Sequence, residues 1–237
     1  MKRIFYILIV LTATFILIEL ILHVLNFKDN TTQAFQIEIE PSSFFQADSI
    51  TGWSLLPGSY QMQINEDTGS AQVSINQLGD RVCCFTNYNH RNNSKVLQLY
   101  GCSNTFGYSL DDNESQAYYL QTMMKDTKVE NKGVPAFGLA QMYLHLKKNV
   151  EQGKLPTIAI FNYGNFHDMR TPEHHEWREL LLQSMSHDEN HKFELFSYPY
   201  FVLENESITL ERVSFNELEE DNVLKIGRFT NLIINQI

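Results

Sequence analysis

Apolar and polar residues follow three different periods along this chain. Residues 4–25 form an almost unbroken run of Ile, Leu, Val, Phe, Thr and Ala behind the basic pair Lys2-Arg3. A run of about 20 such residues matches the hydrocarbon core of a bilayer, so it predicts one transmembrane helix. The basic pair puts the N-terminus in the cytoplasm and the rest of the chain outside it. The run is longer than the apolar core of a signal peptide, and no small-x-small site closes it, so the expectation is an uncleaved single-pass anchor over 1–27.

A polar tether is expected over 28–47. Residues 60–65 and 71–76 then alternate apolar and polar around Glu66-Asp67-Thr68-Gly69, which predicts a β-hairpin within a β-rich lead-in over 48–94. From Lys95 the period switches repeatedly between two and 3.6. Strands are predicted over 95–100, 128–131 and 157–163, and helices over 114–124 and 138–150. That βαβαβ order implies a parallel sheet with helical crossovers, in an α/β domain over 95–237. A helix carrying Trp177, Leu180, Leu181 and Met185, a hairpin over 200–215 around Asn205 and a last amphipathic helix over 217–234 complete the reading. Ligands of parallel sheets bind outside the carboxyl ends of the strands, which brings the loops 101–107, 133–138 and 163–170 to one edge.

Composition narrows the chemistry. A net charge of -10 without clustered Lys or Arg beyond Lys147-Lys148 and the N-terminus excludes a nucleic-acid partner and favours small molecules or neutral polymers. Three cysteines, two of them adjacent at Cys83-Cys84, build no disulfide framework and have no CxxC spacing, so they are expected to pack as small apolar side chains. The histidines at 167, 174, 175, 187 and 191 show no HExxH spacing, and neither a metal nor another cofactor is expected.

The segment from Lys95 to Gly107 is a buried strand running into Gly101-Cys102-Ser103, a context that exposes a hydroxyl at the end of a sheet. It is not the GxSxG elbow of α/β-hydrolases. It resembles the first block of the SGNH (GDSL-like) hydrolase family, whose Gly-Asp-Ser turn carries the nucleophile, with Cys102 in place of the Asp. Asp111 to Glu114, then Asn131 to Gly138 and Gln141, look like the second block of that family and the helix after it. Tyr163 to Arg170 is the counterpart of the third. The resemblance implies a flavodoxin-like, three-layer α/β/α fold with Ser103 as nucleophile. It implies an oxyanion hole made of the Ser103 and Ala136 N–H groups and the Asn165 side chain, with Gly138 and Asn162 as the alternative positions. His167 and Arg170 would flank the pocket.

In the family the catalytic base comes from a late Asp-x-x-His block, and this chain stops before one. Asp188-Glu189-Asn190-His191 matches the letters but follows the third loop by only about twenty residues, in a polar stretch expected to be a surface loop. Two functions are therefore expected as alternatives. One is a serine esterase or acyl-transfer enzyme acting on small-molecule or glycan esters, including O-acyl groups of cell-envelope glycans or lipids. The other is a catalytically silent SGNH-like module that binds glycans or assists envelope assembly.

Overall fold

A computed structural model describes residues 2–24, 37–64, 69–83, 95–172, 174, 177–178, 180–182, 196–204 and 207–220. The chain divides into two units, 1–34 with 221–237, and 35–220. In the first unit, α1 (Lys2–Val24) forms over the apolar run. Among the described residues, no helix is long and apolar enough to cross a membrane.

The second unit begins with strands earlier than the alternation around residue 60 suggests. β1 (Ile37–Glu40) and β2 (Phe45–Asp48) lie inside the stretch expected to be a tether. The signal was present but weak: in Ile-Glu-Ile-Glu the polar half is glutamate, a residue depleted in strands, and Glu38 and Glu40 are exposed on β1's outer side. β1 pairs antiparallel with β4 (Gly58–Ile64), which pairs with β5 (Ala71–Ile75), placing Met62 opposite Ile39 and Val73 opposite Tyr60. β2 pairs with β3 (Gly52–Leu55). The hairpin expected over 60–76 thus forms, although its turn at 65–68 lies outside the described residues.

β6 (Lys95–Gly101) pairs in parallel with β7 (Thr127–Gly133) on one side and β8 (Ile158–Phe161) on the other. Alternation along β6 separates two faces. Leu97 and Leu99 pack with Val129 and with Ala117 of α3 (Gln116–Met123). Tyr100 points the other way, where its hydroxyl accepts a hydrogen bond from Asn149 of α4 (Leu139–Glu151) at 3.1 Å. Helices therefore cover both faces, and a central strand buried on both sides is the usual state of a parallel sheet. α3 starts two residues later than expected because the Ser115 hydroxyl caps it, accepting from the Tyr118 N–H at 3.2 Å, after a 3-10 turn over Asp112–Glu114.

The lead-in is not a separate layer. Arg81 bridges to Ile75 of β5 and to Asn131 of β7, joining the antiparallel strands to the parallel ones. Trp53, Tyr60, Met62 and Val73 share one core with Tyr100, Phe137 and Met142. β9 (Ser197–Glu204) and β10 (Ser207–Ser214) form the expected C-terminal hairpin, and α5 (Phe215–Glu220) follows it. Residues 177, 178 and 180–182 are helical, as expected for that segment. The rest of the helix expected over 217–234 lies outside the described residues.

Candidate active site

With β6 at the centre of the order β7-β6-β8, the chain leaves β6 and returns on opposite sides. Parallel sheets bind ligands at such a reversal, outside the carboxyl ends of the strands, and here Gly101 at the end of β6 leads into Cys102 and the short helix α2 (Ser103–Phe106). Two glycines permit this arrangement. A Cβ on Gly101 would sit 1.8 Å from Thr105 Oγ1, and one on Gly133 would sit 2.5 Å from the Phe106 nitrogen. Both are far inside van der Waals contact, so α2 rests directly on the ends of β6 and β7.

The far end of α2 is held by buried donors. Asn131 Nδ2 donates to the Thr105 and Phe106 carbonyls at 3.0 and 3.3 Å. Arg81, 1% exposed, donates to the Phe106 carbonyl at 2.6 Å and also to the Gly107 and Leu110 carbonyls. Its charge is met by Asp112 at 3.4 Å, and Asp112 in turn accepts from the Ser74 N–H at 3.0 Å. Burial pushes the Asp112 carboxyl up from its ordinary range, against the lowering pull of Ser74 and Arg81. The antiparallel lead-in therefore positions the turn that carries Ser103.

Ser103 is the first residue of α2 and half-buried. Among the described residues, its hydroxyl has one hydrogen-bond partner, the Cys102 sulfur at 3.9 Å. The second loop is fixed by the Val134 N–H donating to the Gly101 carbonyl at 3.1 Å and by Trp53 Nε1 donating to the Pro135 carbonyl at 3.2 Å. Ala136 follows with φ of +67°, the left-handed region where glycine is favoured, and its N–H makes no hydrogen bond among the described residues. Gly138 differs: its N–H donates to Gln141 Oε1 at 3.0 Å and closes the start of α4. Of the two expected backbone donors in this loop, the free one is Ala136.

The two asparagines of the third loop also differ. Asn162 Nδ2 donates to Thr105 Oγ1 at 2.9 Å and to Gln116 Oε1 at 3.0 Å, which uses both amide hydrogens. Asn165 opens a 3-10 turn over Asn165–His167, and its side chain is exposed and makes no hydrogen bond among the described residues. Arg170 ties this loop to the second one: its guanidinium donates to the Phe137 carbonyl at 2.5 Å and stacks over the Phe166 and Trp177 rings at 5.0 and 4.6 Å. The Tyr198 hydroxyl donates to the Arg170 carbonyl at 2.6 Å, bringing the C-terminal hairpin into the support.

His167 is 3% exposed. The Gly164 N–H donates to its Nδ1 at 2.9 Å, and its Nε2 is buried without an aligned hydrogen bond. Cys102 is buried at 1% exposed and packs in the hydrophobic core, as expected of a small apolar side chain. Burial alone would push its thiol up. His167 and the Arg170 charge, with the Asn104 N–H, outweigh that and bring it down to about 6.

Arg81 and Thr105 support the turn and were not singled out from the sequence, and Asn131 was named there only as the start of the second block. The visible clue was a lone arginine and a lone asparagine in otherwise strand-like segments. The segment Asp188 to His191, the one sequence match to an Asp-x-x-His base, lies outside the described residues.

No family model and no curated protein matches this chain. Among solved structures it is similar to AlinE4, described as an SGNH-hydrolase family esterase, at 27% identity over 40% of this chain and 56% of that one, with a TM-score of 0.29. A single-substitution mutant of the same esterase matches at 27% identity over 39% and 55%, also with a TM-score of 0.29. The chain spans a little over half the length of those two solved chains.

Proposed function

We propose that this chain is an SGNH-type serine esterase or acyl-transfer enzyme, with Ser103 as its nucleophile. The observation that carries this reading is a half-buried serine at the sheet's reversal point, on a helix locked by Gly101, Asn131 and Arg81. The free Ala136 N–H and the unbonded Asn165 side chain belong to the two neighbouring loops. Ser103 Oγ attacks an ester carbonyl, its proton passes to a base, and the carbonyl oxygen becomes an oxyanion. The Ser103 N–H, the Ala136 N–H and the Asn165 amide stabilise that charge, at roughly 3 kcal/mol per donor. The alkoxide leaves with the proton, and water or an acceptor alcohol then releases the acyl group from the serine.

The substrate class follows from the anchor reading. The apolar run over residues 4–25 behind Lys2-Arg3 is what supports a single-pass anchor with the catalytic domain outside the membrane. Esters within reach are then O-acyl groups of envelope glycans or lipids. A second reading, a silent binding module, is favoured by one observation: no imidazole or carboxylate hydrogen-bonds Ser103 among the described residues. Hydrolysis of p-nitrophenyl acetate by the full chain separates the two. The enzyme reading predicts that Ser103→Ala removes the activity; equal rates would sink it.

A further inference from the structure

The Ala136 N–H is unspent, and the other end of its own peptide explains how it stays available. Val134 to Phe137 is a tight turn, closed by the Phe137 N–H donating to the Val134 carbonyl at 3.2 Å. The proline at its second position fixes φ at about −65°. Ala136 at its third has φ of +67°. A closed turn with that pair of values is type II, which favours glycine at the third position. Its type I counterpart keeps the same closing bond and differs by a half-turn of the central peptide, from Pro135 to Ala136. That half-turn would bring the Ala136 φ to a negative value, which suits alanine better.

Trp53 opposes it. Its Nε1–H donates to the Pro135 carbonyl at 3.2 Å from inside the core. The indole is fully buried against the Phe137, Tyr198 and Phe215 rings, at 5.5, 5.8 and 5.9 Å, so its direction is fixed. A trans peptide points its C=O and N–H in opposite directions, and a carbonyl drawn inward sends the Ala136 N–H outward. Ala136 is the one residue from 131 to 138 that is not buried. Rotating the peptide would strand a buried indole N–H and put a carbonyl oxygen where the donor stood. The stranded donor and the lost hydrogen bond together outweigh the strain of a left-handed alanine, so the turn stays type II.

We propose that Trp53 is a positioning residue for the esterase site: its indole N–H holds the Pro135–Ala136 peptide in the orientation that presents the Ala136 N–H to an oxyanion. This rests on the reading of Ser103 as nucleophile and Ala136 as donor. Trp53 touches no reacting atom. It belongs to β3, so the antiparallel lead-in holds the oxyanion donor through Trp53 as it holds the nucleophile turn through Arg81.

The test removes the indole donor and then removes the need for it. Trp53→Phe deletes the N–H and keeps an aromatic ring. The freed peptide rotates, and kcat for p-nitrophenyl acetate on the full chain should fall about 10-fold, the left-handed penalty of alanine read as a population. KM should not change, because the donor acts only on the transition state. Ala136→Gly in the same chain should restore kcat to within about 3-fold, since glycine takes either sign of φ without penalty. A tryptophan needed only for packing would gain nothing from that second change. Benzothienylalanine at position 53, with the shape of tryptophan and sulfur in place of the N–H, leaves the core filled and should repeat the loss. Full kcat with this isostere would overturn the proposal, as would a loss that Ala136→Gly leaves in place. If Ser103→Ala keeps full activity, the nucleophile reading itself has failed. If Ser103→Ala is dead while the isostere is fully active, only the role of Trp53 has failed.

Discussion

The turn after β6 and the loop after β8 meet at the same sheet edge and are held by opposite means. The first is fixed through its backbone: glycines at 101 and 133 admit it, and Asn131 and Arg81 grip its carbonyls. The third is fixed through side chains at its ends, Asn162 and Arg170, while Asn165 between them is exposed and unbonded. A nucleophile tolerates little displacement, and backbone clamping suits it. Under the proposed function an oxyanion donor must be both preorganised and unspent, and Asn165 is the asparagine of this loop whose amide is unspent. Substitutions in the first loop should therefore act on folding, and those in the middle of the third on turnover.

Gly101→Ala should break this contrast most severely. A methyl group 1.8 Å from Thr105 Oγ1 cannot be accommodated without moving α2, and a loss beyond about 4 kcal/mol is expected, read as failure to give a cooperative thermal transition. Arg81→Ala comes next, at about 3–5 kcal/mol in denaturant unfolding. It leaves Asp112 buried without its counter-charge and the Phe106, Gly107 and Leu110 carbonyls each one donor short.

The two asparagines test the contrast within one loop. Asn165→Ala should lower kcat by about 10²–10³-fold with an unchanged melting temperature. Asn162→Ala should cost about 1–3 kcal/mol of stability, because Thr105 Oγ1 and Gln116 Oε1 lose their donor. Reversed outcomes would exchange the roles assigned to them. Ala136→Gly is the mildest, within about 1 kcal/mol in either direction: relief at a φ of +67° is offset by the larger entropy glycine loses. Its activity should persist, since the donor is a backbone N–H.

Much of this architecture was legible because period reports burial. Leu97 and Leu99 against Gln98 and Tyr100 marked a strand covered on both faces, and the residues 71–76 marked a half-covered one. The Gly101-Cys102-Ser103 turn was visible for the same reason, since it ends that strand. Strands β1 and β2 were not, because their polar positions read as tether. Side-chain commitments were also out of reach. Asn162 and Asn165 are chemically identical letters three apart, and only the positions of Thr105 and Gln116 decide which amide is already spent.

The most direct test of the central claim is the site of covalent capture. The full chain, treated with a fluorophosphonate at neutral pH and digested, should carry the phosphonyl group on Ser103 Oγ, with Cys102 unmodified, and Ser103→Ala should carry none. An adduct on Cys102, or equal labelling of Ser103→Ala, would contradict it.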